Sequence, residues 1–396
     1  MTDTSQARLA ALPHFASGAG TLAAIVVFAA IVPTVLLVAP AVAAQLAMQL
    51  HLGPAEIGRL FSAELGAMSA ATLPAYYWLP RFDWRRAALV AALVFIGANL
   101  VSALVPGYAA LLALRVLSAL AGGSLMILCL SAAAMTPNPD RVYGFWVMGQ
   151  LVLGAVGLAV LPTLFDRYGI AVCYLGLAGL MALSSPLVRY LPAAPAPRVA
   201  AASANVAATD FVLPAGIGIA AVLTFYISLS GVWTFVGAIA AKAAISPQTS
   251  GNILAIATLL GVVGAASASA IGNRLRRVWV LLAGYALMIG AVALLIGTPD
   301  TLRFTLATFG FKIAWTFVLP FILASLAGID RSGRLMSTTN LVIGGGLAIG
   351  PALAGSLIEA SGGEFQPLLL TAVAVAVLSL GLILALQRWA TASANL

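Results

Sequence analysis

Residues 193–210 read AAPAPRVAAASANVAATD. Ala, Pro and Ser dominate this stretch, and it holds no run long enough to cross a bilayer. Such a composition makes a flexible linker. What lies on either side decides the fold. Six apolar runs precede the linker, at 21–45, 55–79, 86–106, 108–134, 142–165 and 170–191. Six follow it, at 212–240, 249–272, 278–297, 303–327, 335–358 and 366–388. Each has about the 20 residues that a helix needs to span the hydrocarbon core. None alternates with the period of two that a barrel strand would show. In lipid every backbone polar group must be satisfied internally, so runs of this kind are helices. The expected fold class is an all-α integral membrane protein with twelve transmembrane helices in two six-helix bundles.

Composition points the same way. Of the 396 residues 62% are hydrophobic and only 8% are charged, against about 25% charged in a soluble domain. The net charge of +8 comes from short Arg clusters between apolar runs. No basic stripe with interleaved aromatics is present, so a nucleic-acid partner is not expected. Cys129 and Cys173 both sit inside apolar runs, and His14 and His51 flank one run. Neither pair has metal-ligand spacing, and no disulfide framework, metal or cofactor is expected. The first apolar run is too long for a cleaved signal, and residues 1–20 are polar and small.

Between the runs stand turn-forming residues, among them Leu52-Gly53-Pro54, Pro137-Asn138-Pro139-Asp140, Ser246-Pro247 and Thr298-Pro299-Asp300. Basic residues in these connections set orientation. With the N-terminus inside, thirteen Arg fall on the inner side and three Arg and Lys242 on the outer side. Both termini are therefore expected in the cytoplasm. The domain expectation is a cytoplasmic tail at 1–20, a first bundle at 21–192, the linker at 193–210, a second bundle at 211–390 and a tail at 391–396. The chain has two Lys beside seventeen Arg, with abundant Ala. That bias fits a GC-rich genome, and a bacterial inner membrane is the expected location.

The two halves resemble each other. Arg81-Phe82-Asp83-Trp84-Arg85-Arg86 follows the second run, and Asn273-Arg274-Leu275-Arg276-Arg277 follows the eighth. An Arg-rich cytoplasmic turn thus stands at the same place in each half, as in the internal repeats of secondary transporters. With the central linker and inner termini, the chain resembles the major facilitator superfamily over nearly its whole length. The turn after the second run is similar to that family's Gly, Asp-Arg, Gly-Arg-Arg motif. It keeps Arg85 and Arg86 but has Tyr77 for the Gly and Arg81 for the Asp. In the family this motif latches helices at the inner face, a gating role; plain positive-inside anchoring is the alternative. Arg115 to Gly123, RVLSALAGG, is similar to the family's span-four motif, whose Arg is associated with proton coupling or solute contact. Gly346, Gly350-Pro351 and Gly355 in the eleventh run resemble the Gly-Pro pattern that exporters carry in span five. The fifth run here has Gly149, Gly154 and Gly157 but no Gly-Pro pair. Close helix packing by small residues is the other reading of these glycines.

Charges within a span cost about 2.5–3.5 kcal/mol on insertion scales and mark functional sites. Three stand far from any helix end. Glu64 lies ten residues after Pro54, about 15 Å deep at 1.5 Å per residue. Arg115 lies nine residues after Pro106, and Lys312 nine after Arg303. The resemblance implies that spans one, four, seven and ten line a central cavity. Arg115 and Lys312 would then face it from opposite halves, with Glu64 neutralising one of them. The surplus positive charge would bind an anionic solute. A fixed Arg115–Glu64 pair, with Lys312 turned to water or a carbonyl, is the alternative. Glu64 is the one carboxylate deep in any run. Burial favours its neutral form and a nearby guanidinium its charged form, so Glu64, with Arg115, is the candidate proton-coupling site. Tyr226, Ser230, Trp233 and Thr234 fall at i, i+4, i+7 and i+8, one helix face. That face and Trp315, three residues beyond Lys312, are candidate substrate contacts; ordinary packing is the alternative. Gln150 and Asn340 read as helix–helix hydrogen bonds.

No catalytic constellation is visible, so an enzyme is not expected. The expected function is alternating-access transport of a small organic solute, coupled to protons, with an organic anion as first choice. An efflux pump for amphipathic compounds is the alternative, and a non-transporting membrane sensor a remoter one. The expected partners are the solute, protons and the lipid bilayer, and the architecture needs no second subunit.

Overall fold

The computed structural model describes residues 18–104, 107–193, 212–272, 274–329 and 334–394. Residues 1–17 of the N-terminal tail and nearly all of the 193–210 linker lie outside the described residues. Those described are helical, with no strand among them. The first run becomes three pieces, α1 (Ala19–Ile31), α2 (Thr34–Leu37) and α3 (Ala39–Leu50). The second becomes α4 (Pro54–Ala70) and α5 (Thr72–Trp78). Then come α6 (Trp84–Ser102), α7 (Tyr108–Ala134), α8 (Pro139–Tyr168) and α9 (Ala171–Ser184), the last extended by a 3₁₀ turn, Ser185–Tyr190. The second half holds α10 (Val212–Lys242), α11 (Pro247–Ile271), α12 (Arg277–Ala293), α13 (Thr301–Ala327), α14 (Arg334–Ala360) and α15 (Gln366–Ala394).

Nine helices among the described residues are long and apolar enough to cross a membrane. The runs at 21–45 and 55–79, expected as single helices, are instead broken, and the helix on 278–297 is short. The breaks have a local cause. A proline has no N–H for the carbonyl four residues before it. Pro33, Pro40 and Pro74 thus leave the carbonyls of Ala29, Leu36 and Ala70 without their helical donors. Two of these find side chains from other helices: Gln150 Nε2 on α8 donates to the Ala29 carbonyl at 3.0 Å, and Trp233 Nε1 on α10 donates to the Leu36 carbonyl at 2.9 Å. The broken first span is therefore held by groups from both halves of the chain.

Helix starts follow the turn chemistry. Asp83, Asn138, Ser246 and Asp300 each accept a hydrogen bond from the backbone N–H three residues on, satisfying donors that a helix start leaves free. Along α8, Met148, Val152, Val156 and Val160 form an exposed stripe at a spacing of four, an apolar outer face suited to lipid.

The two halves meet along three helix pairs: α4 with α14, α8 with α11, and α3 with α10. In span numbers these are 2 with 11, 5 with 8, and 1 with 7. A repeat that maps each span onto the one six later exchanges the first two pairs and returns the third to itself. The contacts are close because glycines permit it. A Cβ on Gly58 would meet the Pro351 carbonyl, one on Gly355 the Pro54 carbonyl, and one on Gly237 the Pro40 carbonyl. Gln248 on α11 adds a bond from Nε2 to the Ala159 carbonyl of α8. Glu359 on α14 accepts from the backbone N–H of Ala55 at 3.0 Å, placing a carboxylate at the positive end of α4. These contacts cluster at the helix ends assigned to the outer face by the charge count.

Candidate functional site

The three intramembrane charges occupy two separate settings. Arg115 on α7 is 1% exposed and Glu64 on α4 is 7% exposed. Arg115 Nη1 lies 3.4 Å from Glu64 Oε1. Its Nη2 donates to Asn99 Oδ1 at 2.9 Å and to Ser102 Oγ at 3.1 Å, both on α6. Its guanidinium carbon stands 4.5 Å from the centre of the Tyr174 ring on α9. Asn99 in turn donates to Ser118 Oγ at 2.9 Å. Arg115 Nε is the single buried side-chain nitrogen or oxygen without a hydrogen-bond partner among the described residues. All of these partners belong to the first half. Arg115 sits inside that bundle, clamped between α4, α6 and α9, rather than facing Lys312 across a space.

Beside Glu64 is a small cavity of about 10 Å³ lined by Val32, Pro33, Leu36 and Ser118. That volume is close to what one water needs. It lies against the break in the first span, where Pro33 interrupts the helix.

Lys312 on α13 is 4% exposed. Its Nζ lies 3.5 Å from the centre of the Trp233 ring and 4.6 Å from that of Trp315. Phe311 stacks on Trp233 with centroids 6.4 Å apart and planes 6° from parallel. Trp315 closes the corner, edge-on to both. Lys312 has no acidic partner among the described residues. An aromatic face attracts a cation through its quadrupole, by about 2 kcal/mol or more when desolvated. Two indoles thus take the place of a counter-ion. Leu36 ties the two settings together, since it lines the cavity beside Glu64 and receives the Trp233 hydrogen bond.

The expected face of α10 divides. Trp233 forms the box around Lys312. Tyr226 packs edge-on against Phe225, with centroids 5.6 Å apart. Ser230 Oγ bonds the carbonyls of Tyr226 and Gly346, and Thr234 Oγ1 bonds the Ser230 carbonyl. All four side chains are buried. The glycine stripe of α14 is wedged between α10 and α4. Gly346 meets Tyr226 and Gly350 meets Ser230, while Pro351 and Gly355 meet Gly58 and Pro54. Arg85 Nε donates to the Leu191 carbonyl at 2.7 Å, within the first half, and Arg86 lines a groove on the bundle's side. Asn340 is exposed. The sequence reading missed Asn99, Ser102, Tyr174 and Phe311. The pair Asn99 and Ser102, polar at i and i+3 in an apolar run, was the visible signal for the first two.

A polytopic helical bundle in two similar halves, with buried charges in its interior, is the construction of a secondary transporter. The sequence model of the Major Facilitator Superfamily matches residues 20–219, and the chain belongs to that superfamily. Solved structures agree on the fold. A point mutant of the peptide transporter POT superposes with a TM-score of 0.74 at 16% identity, covering 93% of this chain and 94% of that one. The nucleoside transporter NupG gives 0.70 at 14% identity, covering 94% and 99%. A D-xylose-proton symporter gives 0.68 at 14% identity, covering 91% and 95%. The protein is therefore a multi-pass membrane transporter.

Proposed function

We propose that the protein moves a small organic anion by alternating access, coupled to protons, as a monomer in a bacterial inner membrane. The observation that carries this reading is Lys312: a buried ammonium with aromatic faces and no carboxylate among the described residues. Two charges 4 Å apart attract by about 4 kcal/mol at an effective dielectric of 20. A carboxylate entering beside Lys312 would gain this attraction without displacing an internal acid. Trp233, Phe311 and Trp315 offer flat apolar faces to the rest of the solute.

Glu64 is the proposed proton site. If it gains a proton it gives up its ion pair, yet Arg115 keeps Asn99, Ser102 and the face of Tyr174. The guanidinium is then not stranded, and the exchange need not unfold the bundle. The adjoining water-sized cavity supplies a place from which the proton arrives. The first-span break lies against it, and its Leu36 carbonyl is held by the tryptophan that stacks on Lys312. Proton and solute sites thus share one deformable element. The similar D-xylose-proton symporter couples its solute to protons, which fits this assignment. Glu64→Gln tests it. The variant should carry out solute exchange but lose accumulation driven by a pH gradient. Accumulation at the wild-type level would remove Glu64 from the coupling role.

The aromatic box also suits an amphipathic solute, so efflux of such compounds is the second reading. It predicts transport that survives removal of the Lys312 charge.

A further inference from the structure

We infer that each half carries, at its cytoplasmic rim, a binding groove for an anionic phospholipid of the inner leaflet. The first groove, of about 680 Å³, opens between α6 and α7. Arg81 and Arg86 stand at its mouth, and Val90, Val94, Leu117 and Leu120 form its walls. Val90, Leu117 and Leu120 are exposed on the outer side of the bundle, where acyl chains lie. The carboxylate at this mouth, Asp83, accepts from the backbone N–H of Arg86 as the cap of α6. Arg81 bonds the Tyr77 carbonyl and covers the Tyr77 ring. Arg86 has no ion-pair partner among the described residues.

The second groove, of about 300 Å³, lies between α12, α13 and α15. Arg276 and Arg277 stand at its mouth, with Ile329 and Leu386 behind them. Arg277 Nη1 donates to the Ala324 carbonyl at 3.3 Å, while Arg276 is exposed and has no ion-pair partner among the described residues. Spans three and four of the first half correspond to spans nine and ten of the second. The two Arg-rich turns that mark the internal repeat therefore each border a groove, the first between α6 and α7 and the second bounded in addition by Leu386 and Gln387 of α15.

Positive-inside anchoring alone needs only basic residues near the rim. It does not call for a concave apolar wall beneath them. Guanidinium groups above an apolar groove match a lipid with an anionic head and two tails. Phosphatidylglycerol meets both requirements, phosphatidylcholine lacks the net charge, and glycerol phosphate lacks the tails. Each basic residue near a charged membrane surface contributes about 1 kcal/mol, roughly fivefold in affinity.

Native mass spectrometry of the full-length protein, titrated with phosphatidylglycerol or phosphatidylcholine, tests the assignment. The wild type should retain two phosphatidylglycerol molecules in preference to phosphatidylcholine. Arg86→Gln and Arg276→Gln should each weaken one of the two binding steps about fivefold, and the Lys replacements should keep both. Among the described residues these two side chains make no hydrogen bond or ion pair, and an unchanged elution volume confirms folding. Equal binding of phosphatidylcholine, equal binding of glycerol phosphate, or Gln variants that bind like the wild type would each overturn the inference.

Discussion

The ammonium of Lys312 lies 3.5 Å from the centre of the Trp233 ring, and the N–H of that same indole donates to the Leu36 carbonyl at 2.9 Å. One side chain from α10 therefore stabilises the buried cation of the second half and closes the gap that Pro40 opens in the first half. Lys312 and the break in the first span thus share one side chain.

Substitution at Trp233 separates these two duties. Trp233→Phe keeps a ring for Lys312 but removes the donor, and should lower stability by about 1 kcal/mol. Trp233→Leu removes both and should cost about 2 kcal/mol more, the value of a desolvated cation–π contact. Thermal unfolding in detergent ranks them. Equal stability of the two variants would contradict the stacking role.

The Arg115 cluster predicts strong non-additivity. Glu64→Leu leaves a buried guanidinium short of its counter-ion and should destabilise by about 3–5 kcal/mol. Glu64→Gln keeps an acceptor for Arg115 and should cost about 1 kcal/mol. The double variant Glu64→Leu with Arg115→Leu should be more stable than Glu64→Leu alone, because no charge remains buried. Thermal unfolding of these variants together with Arg115→Leu alone reads this, and simple additivity of the two Leu substitutions would mean that the pair is not coupled.

Much of this architecture is readable from the chain, and the parts that are not have a physical reason. Apolar runs and turn residues locate helices because hydrocarbon tolerates no other open backbone. The same run at 21–45 hides two breaks, since hydropathy averages over Pro33 and Pro40. Whether a proline kinks or severs a span depends on who receives the freed carbonyl, and Gln150 and Trp233 lie far away in sequence. Trp315 beside Lys312 follows from a spacing of three. The stacking of Trp233 and Phe311 does not, because it joins two helices. The family resemblance points Arg115 at the cavity; its environment instead follows from Asn99, Ser102 and Tyr174, which only tertiary packing brings together.

The outer closure should be sensitive to single methyl groups. A side chain on Gly58 or Gly355 would strike a backbone carbonyl of the opposite half. Gly58→Ala and Gly355→Ala should therefore shift the protein toward an outward-open form. Spin labels at Met48→Cys and Ser356→Cys, both exposed, report the separation of the outer ends. The native cysteines are buried and stay unlabelled. Longer distances are expected in both glycine variants, and unchanged distributions would show that these contacts do not set the closure.

Glu359 should act in the same direction but less strongly. Its carboxylate meets the N-terminus of α4, an interaction of about 0.3–1 kcal/mol. Glu359→Ala should raise the outward-open fraction about two- to fivefold in the same distance measurement. A larger closed fraction would contradict the assignment.

The most direct test of the central claim is uptake in proteoliposomes under an imposed pH gradient. Organic acids are compared with neutral and cationic compounds, for the wild type and for Lys312→Ala. An organic acid that accumulates with the gradient, and no longer moves in Lys312→Ala, is the predicted result. Transport confined to neutral or cationic compounds, and undiminished in Lys312→Ala, would contradict the anion assignment and leave Lys312 a packing residue.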